Sequence, residues 1–281
     1  MSYYNLETGI RAWEQELERA HSGGAYKNAE KWISFWDEMS PKYGQGDPPK
    51  YHSQIISRLC TEALLTKQST VLDVGCGSGT YSLPFAQIAH RVDCVDSSPG
   101  MLRELSAMAA QNGIDNIRTV YRDWRKFVPE QKYNLVFSSL SPAISRYTDL
   151  LKMEECSADY CCLVTYGHGS YPKVRRDLFS VLEGERQRPS ELYNIIYPFN
   201  ILFAMGRQPN MYCYHHNKSV KRTVVEAIAY YTAYFKLHGI ESAEANRKIC
   251  KYLNDISVDG YCMEEEVDHI YAAWWSVKTD C

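Results

Sequence analysis

The sequence predicts an α/β fold: a seven-stranded, mostly parallel sheet with helices on both faces, a helical N-terminal cap and an inserted lid after the fifth strand. Three observations carry this reading. Residues 1–68 hold apolar positions at helical spacing and no strand pattern. From residue 70 onward, short apolar runs alternate with helical stretches, the pattern of a sheet whose parallel neighbours are joined by crossover helices. The stretch Gly75-Cys76-Gly77-Ser78-Gly79 follows the first of those runs directly and leads into a helix.

The elements follow in order. "RAWEQELERAH" places Trp13, Leu17 and Ala20 on one helical face, and "EKWISFWDEM" places Trp32, Phe35, Trp36 and Met39 on another. Ser40-Pro41 closes that second helix, because proline disfavours helical backbone in the residue before it. "HSQIISRLCTEALL" carries Ile55, Ile56, Leu59, Cys60 and Ala63 as one stripe. Strands are predicted at 70–74, 91–96, 117–123, 133–140 and 159–167. The helix between the second and third strands has Ser98 as N-cap, Pro99 at its first position and Gly113 just past its end, with Met101, Leu102, Leu105, Met108 and Ala109 as its apolar stripe. Further on, 210–216 reads as a strand, "TVVEAIAYYTAYFKLHG" and "EANRKICKYLNDI" as helices, and 271–278 as a closing strand. The chain thus divides into a cap (1–68), a core (69–168), a lid (169–209) and a C-terminal part (210–281), read as one domain.

Composition disfavours several classes. A formal net charge of −3 leaves no electrostatic footprint of a general nucleic-acid binder. The most apolar segment, 193–205, is interrupted by Asn and Pro and is shorter than the roughly 20 apolar residues a bilayer requires, so no membrane association is expected. The start lacks the basic head and apolar middle of a signal peptide, so a cytoplasmic location is expected. Ten cysteines are scattered without a CxxC pair, several of them (Cys94, Cys161, Cys162) inside apolar strand-like runs. They read as reduced structural thiols, and no metal site is expected.

A strand feeding a glycine-rich turn and a helix gathers backbone N–H groups at the carboxyl end of the strand, where open parallel sheets bind nucleotides. The spacing here is GxGxG after the acid Asp73, not the dinucleotide-binding GxGxxG. With Asp73, Gly75, Gly77 and Gly79 in this order, the sequence resembles the class I S-adenosylmethionine-dependent methyltransferases. A second acid, Asp96, ends the second strand 21 positions after Gly75, close to the ~20 of a ribose-binding carboxylate. The resemblance implies a Rossmann-like sheet, S-adenosylmethionine as cofactor and S-adenosylhomocysteine as product. It implies cofactor contacts along the turn (Asp73, Gly75, Cys76, Gly77, Gly79), at Asp96, Ser97 and Met101, and at Asp123 and Trp124, the acid for the adenine amino group and the ring for contact area. Ser138 or Ser139 would add a contact from the fourth strand, whose motif begins with Asn134 where an aspartate often stands. "FWDEMSPKYG" is similar to the aromatic helix and loop preceding this core in small-molecule methyltransferases, with Trp36 or Tyr43 near the sulfonium end. A nicotinamide-dependent oxidoreductase is disfavoured by the glycine spacing, while a non-catalytic module binding the same cofactor would share all these residues.

Methyl transfer mainly requires alignment of acceptor and leaving group, with a base only where the nucleophile arrives protonated. The expected acceptor is a small molecule. Candidates on the same carboxyl edge are Ser141-Pro142, Tyr166, His168 and His215-His216, with His168 the first choice for a general base. Ser141, Tyr166 and Tyr197 are expected to touch the acceptor. His215 and His216 are adjacent, so on a strand they point to opposite faces and cannot both serve one site. Tyr193, Tyr197, Phe199, Phe203, Tyr212 and Tyr214 either line an acceptor pocket or pack the lid.

Overall fold

The structure, a computed structural model, describes residues 5–22, 29–42, 48–167, 173–183 and 194–278. In these residues seven strands form one sheet in the order β3-β2-β1-β4-β5-β7-β6. Its central strands are β1 (Thr70–Val74), β2 (Arg91–Asp96), β3 (Ile117–Tyr121), β4 (Tyr133–Ser139) and β5 (Ser157–Tyr166), all parallel to their neighbours. β6 (Asn210–Thr223) and β7 (Tyr261–Ser276) complete the sheet, β7 running antiparallel to both β5 and β6.

The central strands are apolar on both sides because both sides are covered. Leu135, Phe137, Cys162, Val164 and Ile270 face α3 (Lys50–Thr61), α4 (Ser82–Ala86) and α5 (Pro99–Gln111). Leu72, Val74, Val136, Cys161 and Trp275 face the other way, against α1 (Leu6–Ser22), α6 (Tyr147–Cys156) and α8 (Ile196–Ala204). As expected, Ser98 caps α5, its Oγ accepting from Met101 N, and Gly113 at φ +64° ends it.

Three features depart from the sequence reading. First, β6 and β7 are far longer than 210–216 and 271–278, pairing without a break from Asn210 opposite Trp274 to Thr223 opposite Tyr261. The distal halves, "NKSVKRT" and "YCMEEEVDH", carry polar residues that hide the alternation, and pairing with β5 stops at Tyr166 opposite Ile270. Second, the lid is not a unit. α7 (Lys173–Glu183) joins α9 (Val224–Leu237) and α10 (Ala243–Asp255) in a third core over the distal hairpin, built on Leu178, Phe179, Tyr231, Phe235, Ile249 and Leu253. Inside it the buried Glu264 accepts from Arg222 Nη1 (2.6 Å) and Tyr231 Oη (2.5 Å). α8 instead docks on α1, where Tyr197 stacks on Trp13 at 6.4 Å and 14°. Third, Asn134 lies at the amino edge, where its Oδ1 accepts from Thr70 N and its Nδ2 donates to Asp159. It ties three strands together at the edge opposite the glycine turn, so its departure from the family pattern leaves the turn untouched. No described helix is long and apolar enough to cross a membrane.

Candidate active site

Gly75, Gly77 and Gly79 adopt φ of +68°, +55° and +92°, a region costly for any residue with a Cβ. The turn they form is tied to β2: Gly75 N donates to Val95 O (2.7 Å) and Gly77 N to Asp96 Oδ2 (2.9 Å). Asp96 Oδ1 accepts from Ser98 N (2.8 Å), so main-chain donors on two sides fix this carboxylate while it keeps some exposure. Burial raises its pKa and the backbone donors of Ser98, Gly77 and Ser97 pull it back down. The carboxylate keeps acceptor capacity for a further donor.

Asp73 lies beneath the turn, buried, and accepts from Ser82 Oγ (2.5 Å) at the start of α4. Burial pushes its pKa up to about 7; the Ser82 hydroxyl opposes this, and the like charge of Asp96 adds to it. Asp73 therefore steadies the turn and helix from below.

The resemblance implies cofactor contacts along this turn, and the structure adds a second reason for two of its glycines. A Cβ at Gly75 would lie 1.8 Å from Ser141 Oγ, and one at Gly79 would lie 2.3 Å from Leu105 Cδ1. Two of the three are small because the chain's own side chains close on them. Ser141 is delivered there by Leu140, whose φ of +48° sharply turns the chain after β4.

The remaining predicted residues fall into groups. Ser97 and Ser139 are half-buried at the same edge. Cys76 and Met101 are buried. Ser138 is fully buried and donates to Val74 O (2.9 Å), a strand-to-strand bond that leaves the hydroxyl no exposure. Asp123 caps the short turn Trp124–Lys126 and pairs with Arg125, an ion pair that lowers its pKa. Trp124 is 4 % exposed, stacked on Phe127 and covered by Lys152, so it is core rather than an open adenine face. Trp36 sits on α2 (Ala29–Met39), edge-on to Phe35. Tyr166 is half-buried at the end of β5. The aromatic residues of the lid do not converge: Tyr197 faces α1, Phe203 is exposed, and Tyr212 and Tyr214 face α3 beside Arg58. Tyr43, His168 and Tyr193 lie outside the described residues.

Sequence reasoning missed two groups. Asp37 on α2 accepts from Ser98 Oγ (2.6 Å) and Gly100 N (2.8 Å), docking the N-terminal cap on the positive end of α5 beside Asp96. A Cβ at Gly100 would lie 2.8 Å from Asp37 Oδ1, so a glycine in the first turn of a helix was the available signal. The second group is a row of rings from the core to β6. Phe137 and Tyr81 lie 4.7 Å apart, Tyr81 and His52 4.9 Å, His52 and Tyr51 4.3 Å, and Tyr51 and His216 5.3 Å. Among the described residues, His52 Nδ1 is buried without a hydrogen-bond partner, and the buried Tyr81 hydroxyl has only the nearby Ser139 beside it. Burial, with His216 adding to it, lowers the His52 pKa to about 4, so the ring is neutral at pH 7.

Residues 71–156 match the methyltransferase domain family. Those residues form a methyltransferase domain of the class I S-adenosylmethionine-dependent type. Over 123 residues the chain is 28% identical to an uncharacterized protein of Haemophilus influenzae, covering 42% of this chain and 44% of that protein. Over 86 residues it is 33% identical to a 23S rRNA (uracil(1939)-C(5))-methyltransferase of Aeromonas salmonicida, covering 29% of this chain and 20% of that one. The chain therefore matches less than half the length of these curated relatives. The methyltransferase fold extends beyond the matched core. The crystal structure of magnesium protoporphyrin IX methyltransferase from Synechocystis PCC 6803, with bound S-adenosylhomocysteine, superposes with a TM-score of 0.52 at 14% identity over 91% of this chain and 99% of that one. The cofactor of the methyltransferase domain is S-adenosylmethionine. The site suits it: a pinned, partly exposed carboxylate at Asp96 stands over a second buried acid, and a positively charged ligand relieves the repulsion between them.

Proposed function

We propose that the protein transfers a methyl group from S-adenosylmethionine to a small-molecule acceptor by in-line displacement. The observation that supports it most is Asp96, held by Gly77 N and Ser98 N at the end of β2, partly exposed and with acceptor capacity to spare for a ribose hydroxyl. Gly75, Cys76, Gly77, Gly79 and Ser97 border the cofactor in this reading, with Asp73 as support. When bound, the cofactor supplies a methyl group activated by its sulfonium, with the thioether as leaving group. The chain's task is then alignment and exclusion of water.

In this reading the half-buried Ser139 and His52 stand nearest the acceptor, with the buried Tyr51 and Tyr81 packing around them. His52 is neutral at pH 7 and so places no positive charge near the sulfonium. A pKa near 4 makes it an orienting group rather than a strong base. His168 remains a candidate base by its place after β5. A small acceptor fits the net charge of −3, since RNA binding rests on neutralising phosphates with lysine and arginine. The rRNA-methylating relative shares only 86 aligned residues.

Supplying the purified protein with methyl-labelled S-adenosylmethionine and a cell extract tests the reading. Label is expected in the small-molecule fraction. Label confined to RNA would overturn the acceptor class, and label nowhere, despite S-adenosylhomocysteine binding, would favour a non-catalytic module.

A further inference from the structure

The β6–β7 hairpin brings together side chains that the glycine-turn site does not use. Cys213 and His215 are two apart on β6 and therefore share a face. His269 stands directly opposite His215 in the antiparallel register, and Tyr271 directly opposite Cys213. The ligand atoms of Cys213, His215 and His269 all lie within 4.8 Å of one another. The two imidazole rings are 4.9 Å apart and nearly perpendicular at 81°.

From this convergence we propose that Cys213, His215 and His269 form a zinc site on the sheet face opposite His52 and His216, where β5 ends. One thiolate and two imidazoles suit a borderline-soft transition metal such as zinc and exclude magnesium and calcium, which require oxygen. Tetrahedral bonds of about 2.0–2.3 Å set ligand atoms roughly 3.3–3.8 Å apart, so side-chain rotation of about 1 Å closes the set. The bed of the site is built for it. Gly167 N donates to His269 O (2.7 Å), and a Cβ at Gly167 would lie 2.4 Å from the Tyr271 ring and 3.2 Å from His269 Cβ. The Tyr271 phenol interacts with the Cys213 thiol, in the position of an outer partner that orients a metal ligand. Three protein ligands leave the fourth position to water or another donor, as in open zinc sites.

The sequence suggests no metal because its visible signal, the adjacent His215-His216, is the wrong pair. His216 points to the other face against Tyr51, and the working partner of His215 lies across the hairpin, with two helices between them in sequence. The site requires nothing of the methyl-transfer reading.

Cobalt titration of the full chain, stripped with a chelator under reducing conditions, tests it. One cobalt ion per chain is expected, with a thiolate-to-cobalt charge-transfer band and the visible bands of tetrahedral cobalt, both bleached by zinc. Cys213→Ser is expected to abolish the charge-transfer band. His215→Ala, at an exposed side chain, and His269→Ala should remove the tetrahedral bands, and Tyr271→Phe should weaken zinc about tenfold. Far-UV circular dichroism and S-adenosylhomocysteine binding check that each variant folds; should Cys213→Ser misfold, His215→Ala decides. Absence of a thiolate band in the wild type, or its persistence in folded Cys213→Ser or His215→Ala, would overturn the site.

Discussion

The two halves of the sheet are built differently. The half carrying β1, β2 and β3 is made of successive crossover units, so the turn, its acid and its capped helix lie within about thirty residues and bond to one another through main chain. The half carrying β5, β7 and β6 is closed by a hairpin whose strands are separated by two helices, and its side chains meet only across strands. A local half writes its chemistry into contiguous sequence; a half assembled at long range does not.

This contrast can be broken from either side. Gly75→Val forces a side chain onto Ser141 at a positive φ, and S-adenosylhomocysteine binding is expected to be lost altogether in calorimetry. In the other half, Glu264→Ala strands the partly exposed Arg222 and the buried Tyr231 hydroxyl, and a loss of about 1–3 kcal/mol is expected in urea unfolding. If the hairpin and its helices depend on this ion pair, their melting should precede that of the cofactor half.

The burial of Asp73 makes stability depend on pH. Its carboxyl is raised to about 7 when folded and titrates near 3.9 when unfolded, so the folded state holds the proton more tightly. Stability from this group is full below about pH 4 and is lost as pH rises toward 7. Asp73→Asn should therefore gain in Tm over the wild type between pH 4 and 7 and differ little below, as thermal melts across pH would show. The smallest expected effect is at the cap: Asp37→Ala removes the acceptor from Ser98 and Gly100 and should cost about 1 kcal/mol, read as roughly fivefold weaker S-adenosylhomocysteine binding.

The same contrast explains what was legible. β1 and β2 stand at the predicted residues, as do the Ser98 cap and Gly113, because turn chemistry and strand periodicity are local signals. Asp96 was legible as an acid at a strand end. Trp124 was misplaced because an aromatic residue after a strand reads alike whether it faces a ligand or the core, and only Phe127 and Lys152 decide. Gly75 and Gly79 are positions of close approach whose approaching groups, Ser141 and Leu105, come from other elements and leave no local signal. His52 and Tyr81 were invisible because 28 residues and the whole of β1 separate them.

Calorimetric titration of S-adenosylhomocysteine into the wild-type protein and Asp96→Ala tests the central claim most directly. One site per chain is expected, weakened in the variant by about 1.5–3 kcal/mol, or roughly ten- to a hundredfold. Equal affinity in the two proteins, with the variant folded, would contradict it.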